Sequence, residues 1–562
     1  MGAAAGDSEL AELLEELKRR SGRSYAALAH RTGLSRSTVH RYCQGSTVPP
    51  SFGAVEQVAR ACGAGAAELN GLYSAWQRAN FGEAPEESGT AGEAAPPGET
   101  EKETGAAPTG FATPWYRYVG LRTLALFLAF VVVSVVGAVS YDSSGGSRGS
   151  PVRSGPGGGP DDRQRIDGPA WALSPRRIPQ EFYGLTLNTD TGNMPGFRAG
   201  SVRLWESGTR WGSIERRPGH YDWTTLQRMV DAAGRKRLPV LFTIAGTPLW
   251  AAEDGRRSAY SDSLASPPDD LAVWDRFVEK LATRYRGRIE AYELWDYPSH
   301  RLHYAGTIRT LAEMVERAAR IIRRVDPEAT VVCPSFGDLR QQRGERLLRE
   351  FARTGAYEVC DAAALKMPPR KADGPPEEII DLAESVQRTL FEEEQSDVAL
   401  WNTGPDRSVA VTGPLSARRA RDYAVRFYLA GLYARNFGIR RMYFYSWGSS
   451  TVPLVVQPVG GPPTEAGRRI ARLQRWLDGA RIVSCGHGAR MGLAQSAYTC
   501  RFERDGAELS VYWTTDGRAE VSLPDGAGAY RLNRMDGSTG SARGGARIGF
   551  GEEPLLVERR AV

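Results

Sequence analysis

Two hydrophobic periodicities divide the chain. Over residues 8–80, apolar positions recur every three to four residues. Leu10, Leu13, Leu14 and Leu17 form a stripe down one helix face, and further helical patterns follow at 51–79. From about residue 180, short runs rich in β-branched and aromatic residues alternate with longer helical stretches. The runs are "FYGLTLN", "SVRLWE", "PVLFTI", "IEAYELW", "ATVVCPS", "CDAAALK", "DVALWN" and "RMYFYSW". Between them lie patterns such as "LAVWDRFVEKLATRY" and "IRTLAEMVERAARIIRRV". Eight strand–helix units predict a (β/α)8 TIM barrel over 169–480. Beyond it, "ELSVYWTT" and "RAEVSLPDG" are strands set between Gly-rich turns, which predicts a β-sandwich over 481–562.

A third pattern separates these halves. Residues 123–141, "TLALFLAFVVVSVVGAVSY", carry no charge. As a helix they would extend ~28 Å, close to the hydrocarbon thickness of a bilayer. Trp115, Tyr116, Tyr118 and Tyr141 flank the run as interfacial aromatics do. A transmembrane helix with its flanks is therefore expected over 115–141, with the lipid bilayer as a partner. Arg117 and Arg122 precede the run and Asp142 follows it, although Arg148 and Arg153 weaken the asymmetry. The positive-inside tendency then gives a single-pass protein of the cell membrane, N-terminus cytoplasmic and C-terminus extracellular. The Glu/Pro/Gly/Ala-rich stretch at 81–114 reads as a disordered acidic linker, and 142–168 as a flexible Gly/Ser-rich one.

Charge and cysteine content sharpen the picture locally. The net charge of +6 over 562 residues is small, but Lys18 to Gln44 holds seven Lys or Arg and no Asp or Glu. That is a surface suited to a polyanion, or else a solvated helical face. Of six cysteines, Cys43 and Cys62 precede the apolar run and Cys333, Cys360, Cys485 and Cys500 follow it. None forms a CxxC or Cys/His pattern, so neither a metal nor another cofactor is implied. Cys485 and Cys500, close in sequence, are the first candidates for a disulfide, with Cys333 and Cys360 as a second pair.

Within the acid-free stretch, "SYAALAHRTGLSRSTVHRYCQG" has the spacing of a helix-turn-helix. Ala29 lets two helices approach, Gly33 permits the turn, Val39 seats the second helix, and Ser35 can cap it. Residues 1–80 resemble the phage-repressor-like (XRE-type) helix-turn-helix family. By that resemblance, Ser35, Arg36, Ser37, His40, Arg41 and Gln44 would face the major groove of DNA. The same fold also serves as a protein-gripping module in envelope scaffolds. The expected fold class is thus multidomain: an all-α helix-turn-helix bundle, one transmembrane helix, a TIM barrel and a C-terminal β-sandwich.

The barrel segment "RLWESGTRWGSIERRPGHYDWTTLQRMVDAAGRKRLPVLFTIAGTPLWA", with "YELWDYP" and "TEAGRRIARLQRWLDGARIV", resembles the β-xylosidase-like retaining glycoside hydrolases. That family uses two carboxylates about 5 Å apart, after the fourth and seventh strands. The fourth-strand motif Trp-Asn-Glu-Pro reads Trp295-Asp296-Tyr297-Pro298 here, with Tyr297 in place of the acid. The seventh, Thr-Glu-x-Gly, places Asn402 at the nucleophile. No catalytic residue is therefore assigned, and Tyr297 and Asn402 are degenerate positions. Strand alternation would turn Asp296 away from the site, and Glu206, Glu293 and Asp406 are the other acids near strand ends. The resemblance implies a glycan pocket built from Arg203, Trp205, Trp211, Trp250, Trp295, Tyr297, Asn402, Tyr445 and Trp447. The combined reading is a membrane-tethered DNA-binding regulator whose outer barrel binds a glycan without cleaving it. A homodimer would pair two DNA half-sites. Alternatives are an active glycosidase with atypical carboxylates and an envelope scaffold.

Overall fold

The computed structural model describes residues 3–32, 34–49, 52–81, 168–371, 374–404, 415, 417–448, 456–525 and 528–560. The N-terminal region is five helices: α1 (Ala3–Ser21), α2 (Tyr25–Thr32), α3 (Arg36–Cys43), α4 (Phe52–Ala61) and α5 (Ala66–Phe81). Their core is Leu10, Leu14, Leu17, Leu28, Val39, Val55, Val58, Leu69, Leu72 and Trp76. Helix α3 starts where the Ser35 hydroxyl accepts the Thr38 amide at 3.0 Å, satisfying an otherwise orphan donor. Val39 is fully buried beneath it, Ala29 is half-buried, and Gly33 lies outside the described residues.

Strand β1 (Trp171–Arg177) precedes a closed parallel barrel of β2 (Tyr183–Leu187), β3 (Ser201–Leu204), β4 (Val240–Thr243), β5 (Ala291–Glu293), β6 (Thr330–Phe336), β7 (Ala362–Leu365), β8 (Ala399–Asn402) and β9 (Ile439–Trp447). Pairing of β2 with β9 closes the ring. These strands are buried on both faces and so are near-continuous apolar runs. Outside them lie α6 (Thr224–Arg235), α7 (Leu271–Arg284), α8 (Ile308–Val325), α9 (Gln342–Ala352), α10 (Glu378–Glu392), α11 (Ala417–Tyr433) and α12 (Glu465–Trp476). Helix α8 illustrates the logic: Thr307 caps it, and Ile308, Leu311, Ala312, Val315, Ala319 and Ile322 line one face buried on the barrel. Eight strand–helix units were expected, but β2 runs to β3 without an intervening α-helix. Residues 188–200 read "NTDTGNMPGFRAG", too rich in turn formers to sustain a helix.

The C-terminal strands are β10 (Arg481–His487), β11 (Ala497–Arg504), β12 (Ala507–Thr514), β13 (Arg518–Ser522), β14 (Ala529–Arg534), β15 (Thr539–Arg543), β16 (Arg547–Gly551) and β17 (Leu555–Arg560). They form a sheet ordered β1-β10-β11-β12-β17-β14-β15, with β13 and β16 paired separately. Strand β1 thus belongs to this sheet although it precedes the barrel in the chain. Cys485 and Cys500 face each other across β10 and β11 and are joined, as are Cys333 and Cys360. Cys43 and Cys62 are free and buried.

One part of the expected fold class is corrected. Among the described residues no helix is long and apolar enough to cross a membrane. Residues 115–141, on which the transmembrane expectation rested, lie outside the described residues, as do Asp406 and both linkers except for Phe81 and Gly168.

Candidate functional site

Helix α3 presents a polar outer face. Ser35, Arg36, Ser37, His40, Arg41 and Gln44 are all exposed, while Val39, Tyr42 and Cys43 point into the core. Among the described residues no acid pairs with Arg36 or Arg41. His40 packs edge-on against Tyr25, with ring centroids 4.9 Å apart. Arg36 and Arg41 stand on a helix whose inner side is fixed by apolar packing.

The barrel mouth is built differently. Arg203, at the C-terminal end of β3, is 1% exposed and donates to two carboxylates. Its Nε and Nη2 donate to Glu293 at 2.6 and 3.0 Å, and Nη2 also donates to Asp296 at 2.6 Å. The Thr243 and Thr403 hydroxyls complete the shell of Glu293, at 2.6 and 3.3 Å. Lys366 Nζ reaches Asp296 at 2.6 Å, and His303 Nδ1 lies 3.2 Å from its other oxygen. Burial opposes ionisation of Asp296. Lys366, His303 and Arg203 overcome it and hold its carboxyl well below the usual carboxylate range.

Asp296 is brought inward by a break in the strand. Trp295 has φ +113° and Tyr297 φ +53°, so the pleat ends at Glu293 and the alternation that would turn Asp296 away no longer applies. Tyr297 is buried and its hydroxyl donates to Asp338 at 2.8 Å. Asn402 is fully buried. Its Oδ1 accepts from the Met367 and Gly404 amides, each at 3.3 Å, and its Nδ2 donates to the Met367 carbonyl at 3.2 Å. Neither position carries a carboxyl group.

Glu206, just after β3, is shifted the opposite way from Asp296. Burial pushes its carboxyl up, Arg210 opposes the shift, and the Tyr260 hydroxyl donates to it at 2.9 Å. Tyr260 is itself held by Arg210, whose guanidinium lies 3.9 Å from the ring centroid and pairs with Asp262 at 3.0 Å.

The rings fall into two groups. Trp211, Trp295 and Trp447 have no exposed surface: Trp211 stacks on Phe277 at 5.0 Å, Trp295 packs on Trp274 and Tyr304, and Trp447 Nε1 donates to Gln457. Trp205 is buried, with its Nε1 3.2 Å from the Tyr260 hydroxyl. Trp250 and Tyr445 are half-buried. The barrel-mouth network therefore joins Arg203 to Asp296, Lys366, His303 and Glu293, and leaves Trp250 and Tyr445 as the most accessible of the expected rings. Lys366 and His303 were not singled out in the sequence. A lysine closing the wholly buried run of β7 was the available signal for the first, and His303 had none.

Residues 9–72 match the helix-turn-helix domain family. No curated protein matches the chain. Similar solved structures include a glucosidase from Croceicoccus marinus, at 16% identity and TM-score 0.48, covering 69% of this chain and 98% of that one. A family 39 glycoside hydrolase from Bacteroides cellulosilyticus has 13% identity and TM-score 0.49, covering 69% and 84%. A GH39 β-xylosidase from Caulobacter crescentus has 12% identity and TM-score 0.48, covering 70% and 98%. At these values the likenesses carry no argument about chemistry, and the barrel stands on its own strand order. The chain thus joins a helix-turn-helix domain at residues 9–72 to an eight-stranded parallel barrel with an antiparallel accessory sheet.

Proposed function

We propose that this chain is a DNA-binding transcriptional regulator whose barrel binds a carbohydrate without cleaving it. The observation that carries the reading is the face of α3: Arg36, Arg41, His40 and Gln44 exposed together on a capped helix, with no acid among the described residues pairing either arginine. Phosphate and base-edge contacts need such a surface, whereas a protein-gripping domain has no need of one free of acids. Support for a non-cleaving barrel comes from the mouth, where Tyr297 and Asn402 make local bonds and Asp296 and Glu293 share one arginine. Trp250 and Tyr445 would give a sugar ring apolar surface.

The reading extends to placement. Free thiols at Cys43 and Cys62, against disulfides in the barrel and sheet, support a cytoplasmic N-terminal region and an extracellular barrel. The uncharged sequence at 123–141 supports attachment to a membrane between them. Pairing of two chains on adjacent half-sites would raise DNA affinity through effective concentration. Protease added to intact cells should remove the barrel and spare the N-terminal region, and the opposite pattern would refute the placement. For the regulator itself, the full chain should enrich a defined site from fragmented genomic DNA, and Arg36→Ala/Arg41→Ala should not. No enrichment even at low salt would end this reading.

One observation favours a second reading. Glu206 is shifted up by burial and in part by the charge of Asp296, and Asp296 is shifted down, the split that an acid and a nucleophile need. A hydrolase on that pair would turn over aryl glycosides and lose all turnover in Glu206→Gln. Absence of turnover across a broad panel removes it.

A further inference from the structure

The arginines of α12 divide into two sets. Arg468 and Arg469 are matched by acids: Arg468 with Glu465 at 2.9 Å, and Arg469 with Glu465 and Glu553, each at 3.0 Å, and with Asp422. One turn on, Arg472 and Arg475 form no ion pair among the described residues; Arg534 at the end of β14 forms none either, and its nearest acid influence is Asp536 of the adjoining turn. These three guanidinium groups line one cavity of about 240 Å³ between α12 and the β14–β15 hairpin, with Trp476, Asn533, Gly537 and Ser538. Two buried atoms of its lining, Arg472 Nε and Asn533 Nδ2, have no hydrogen-bond partner. Both are donors. Buried donors without acceptors are costly, so a site that retains them fits an acceptor-rich ligand.

The hairpin turn is shaped to the same end. Gly537 has φ +100°, and a Cβ there would collide with the Arg472 guanidinium. The acid of this turn, Asp536, accepts the Ser538 amide at 2.8 Å. Positive charge and donor groups therefore converge on a small concavity remote in sequence from the barrel-mouth residues.

We propose that this cavity binds a tetrahedral oxyanion, phosphate or sulfate, either free or carried on a polymer. A planar fork from each arginine matches two oxygens of such a group, and a charge-assisted bond to each exceeds a neutral one in strength. The site is separate from the glycan reading of the barrel mouth and does not rest on it.

The test is calorimetric titration of the full chain carrying Arg36→Ala/Arg41→Ala, which removes the competing cations of α3. Inorganic phosphate, sulfate and polyphosphate are added in turn against sodium chloride of equal ionic strength. Binding of any of the three is expected, weakened at least about tenfold by Arg472→Ala and unchanged by Arg468→Ala. Arg475→Glu, at an exposed position, reverses a charge without touching the core and should abolish binding. Binding of all three assigns the site to the free anion, and binding of polyphosphate alone assigns it to a polymer-borne group. No binding of any of them, or binding that Arg472→Ala and Arg475→Glu leave intact, overturns the proposal.

Discussion

Arginine does opposite work in two regions of this chain. In α3, Arg36 and Arg41 stand in solvent with no acid beside them, held in place only by the packed inner face of the helix. At the barrel mouth, Arg203 is buried and ties Glu293 and Asp296 together, so its charge is wholly taken up inside the protein. The difference separates cations kept available for a ligand from cations that hold a scaffold. Exposed pairs contribute little to stability, whereas a buried charge stripped of its partner is expensive.

The largest effect should come from Arg203→Ala. It leaves Glu293 buried with only two hydroxyls and removes one of the cations around Asp296. A loss of about 3–5 kcal/mol is expected in denaturant unfolding of the barrel. A loss below about 1 kcal/mol would mean that the network does not hold the mouth together.

A smaller effect, opposite in sign near neutral pH, should follow Glu206→Gln. Burial raises the folded carboxyl of Glu206. Its contribution to stability is therefore complete below the unfolded value, ~4.3, and is lost as pH rises through the folded one. Asp296 is lowered, so its contribution is present above ~3.9 and lost as pH falls through its folded value. Glu206→Gln should raise the Tm of the barrel at pH 7 and flatten its decline above ~4.3, leaving the acid limb intact. An unchanged profile would place Glu206 in contact with water rather than in a dry pocket.

Ser35→Ala removes the cap of α3 and should cost about 1 kcal/mol, read as faster amide exchange confined to that helix. Smallest of all, Arg36→Ala and Arg41→Ala should leave the melting of the N-terminal region unchanged. A clear drop in Tm would show that these arginines support the fold and are not held in reserve.

Much of the fold was legible because its signals are local. Most of the barrel strands are near-continuous apolar runs, and each quoted run contains its strand or most of it. Strand β1 was not legible: "WALSPRR" has one buried residue and six exposed ones, since it lies at the edge of the sheet. The missing helix after β2 was masked by counting repeats, although its turn-forming residues were in view. The site was less legible than the fold. The face of α3 could be read from helical spacing and a cap. The barrel-mouth network could not, because Arg203, Asp296 and Lys366 come from separate strands of the ring. Asp296 enters it only through the positive φ of Trp295. Exposure of the aromatic rings was likewise set by tertiary packing, which hides Trp211, Trp295 and Trp447 and leaves Trp250 and Tyr445 partly open.

The measurement that tests the central contrast most directly is the salt dependence of DNA binding by the full chain and by Arg36→Ala and Arg41→Ala. If these cations are held for phosphate and base contacts, log K should fall linearly with log salt. Each substitution should weaken binding about tenfold or more, and one that removes a phosphate contact should make the slope shallower by about one. A wild-type affinity that is indifferent to salt, or two variants that bind as the parent does, would contradict it.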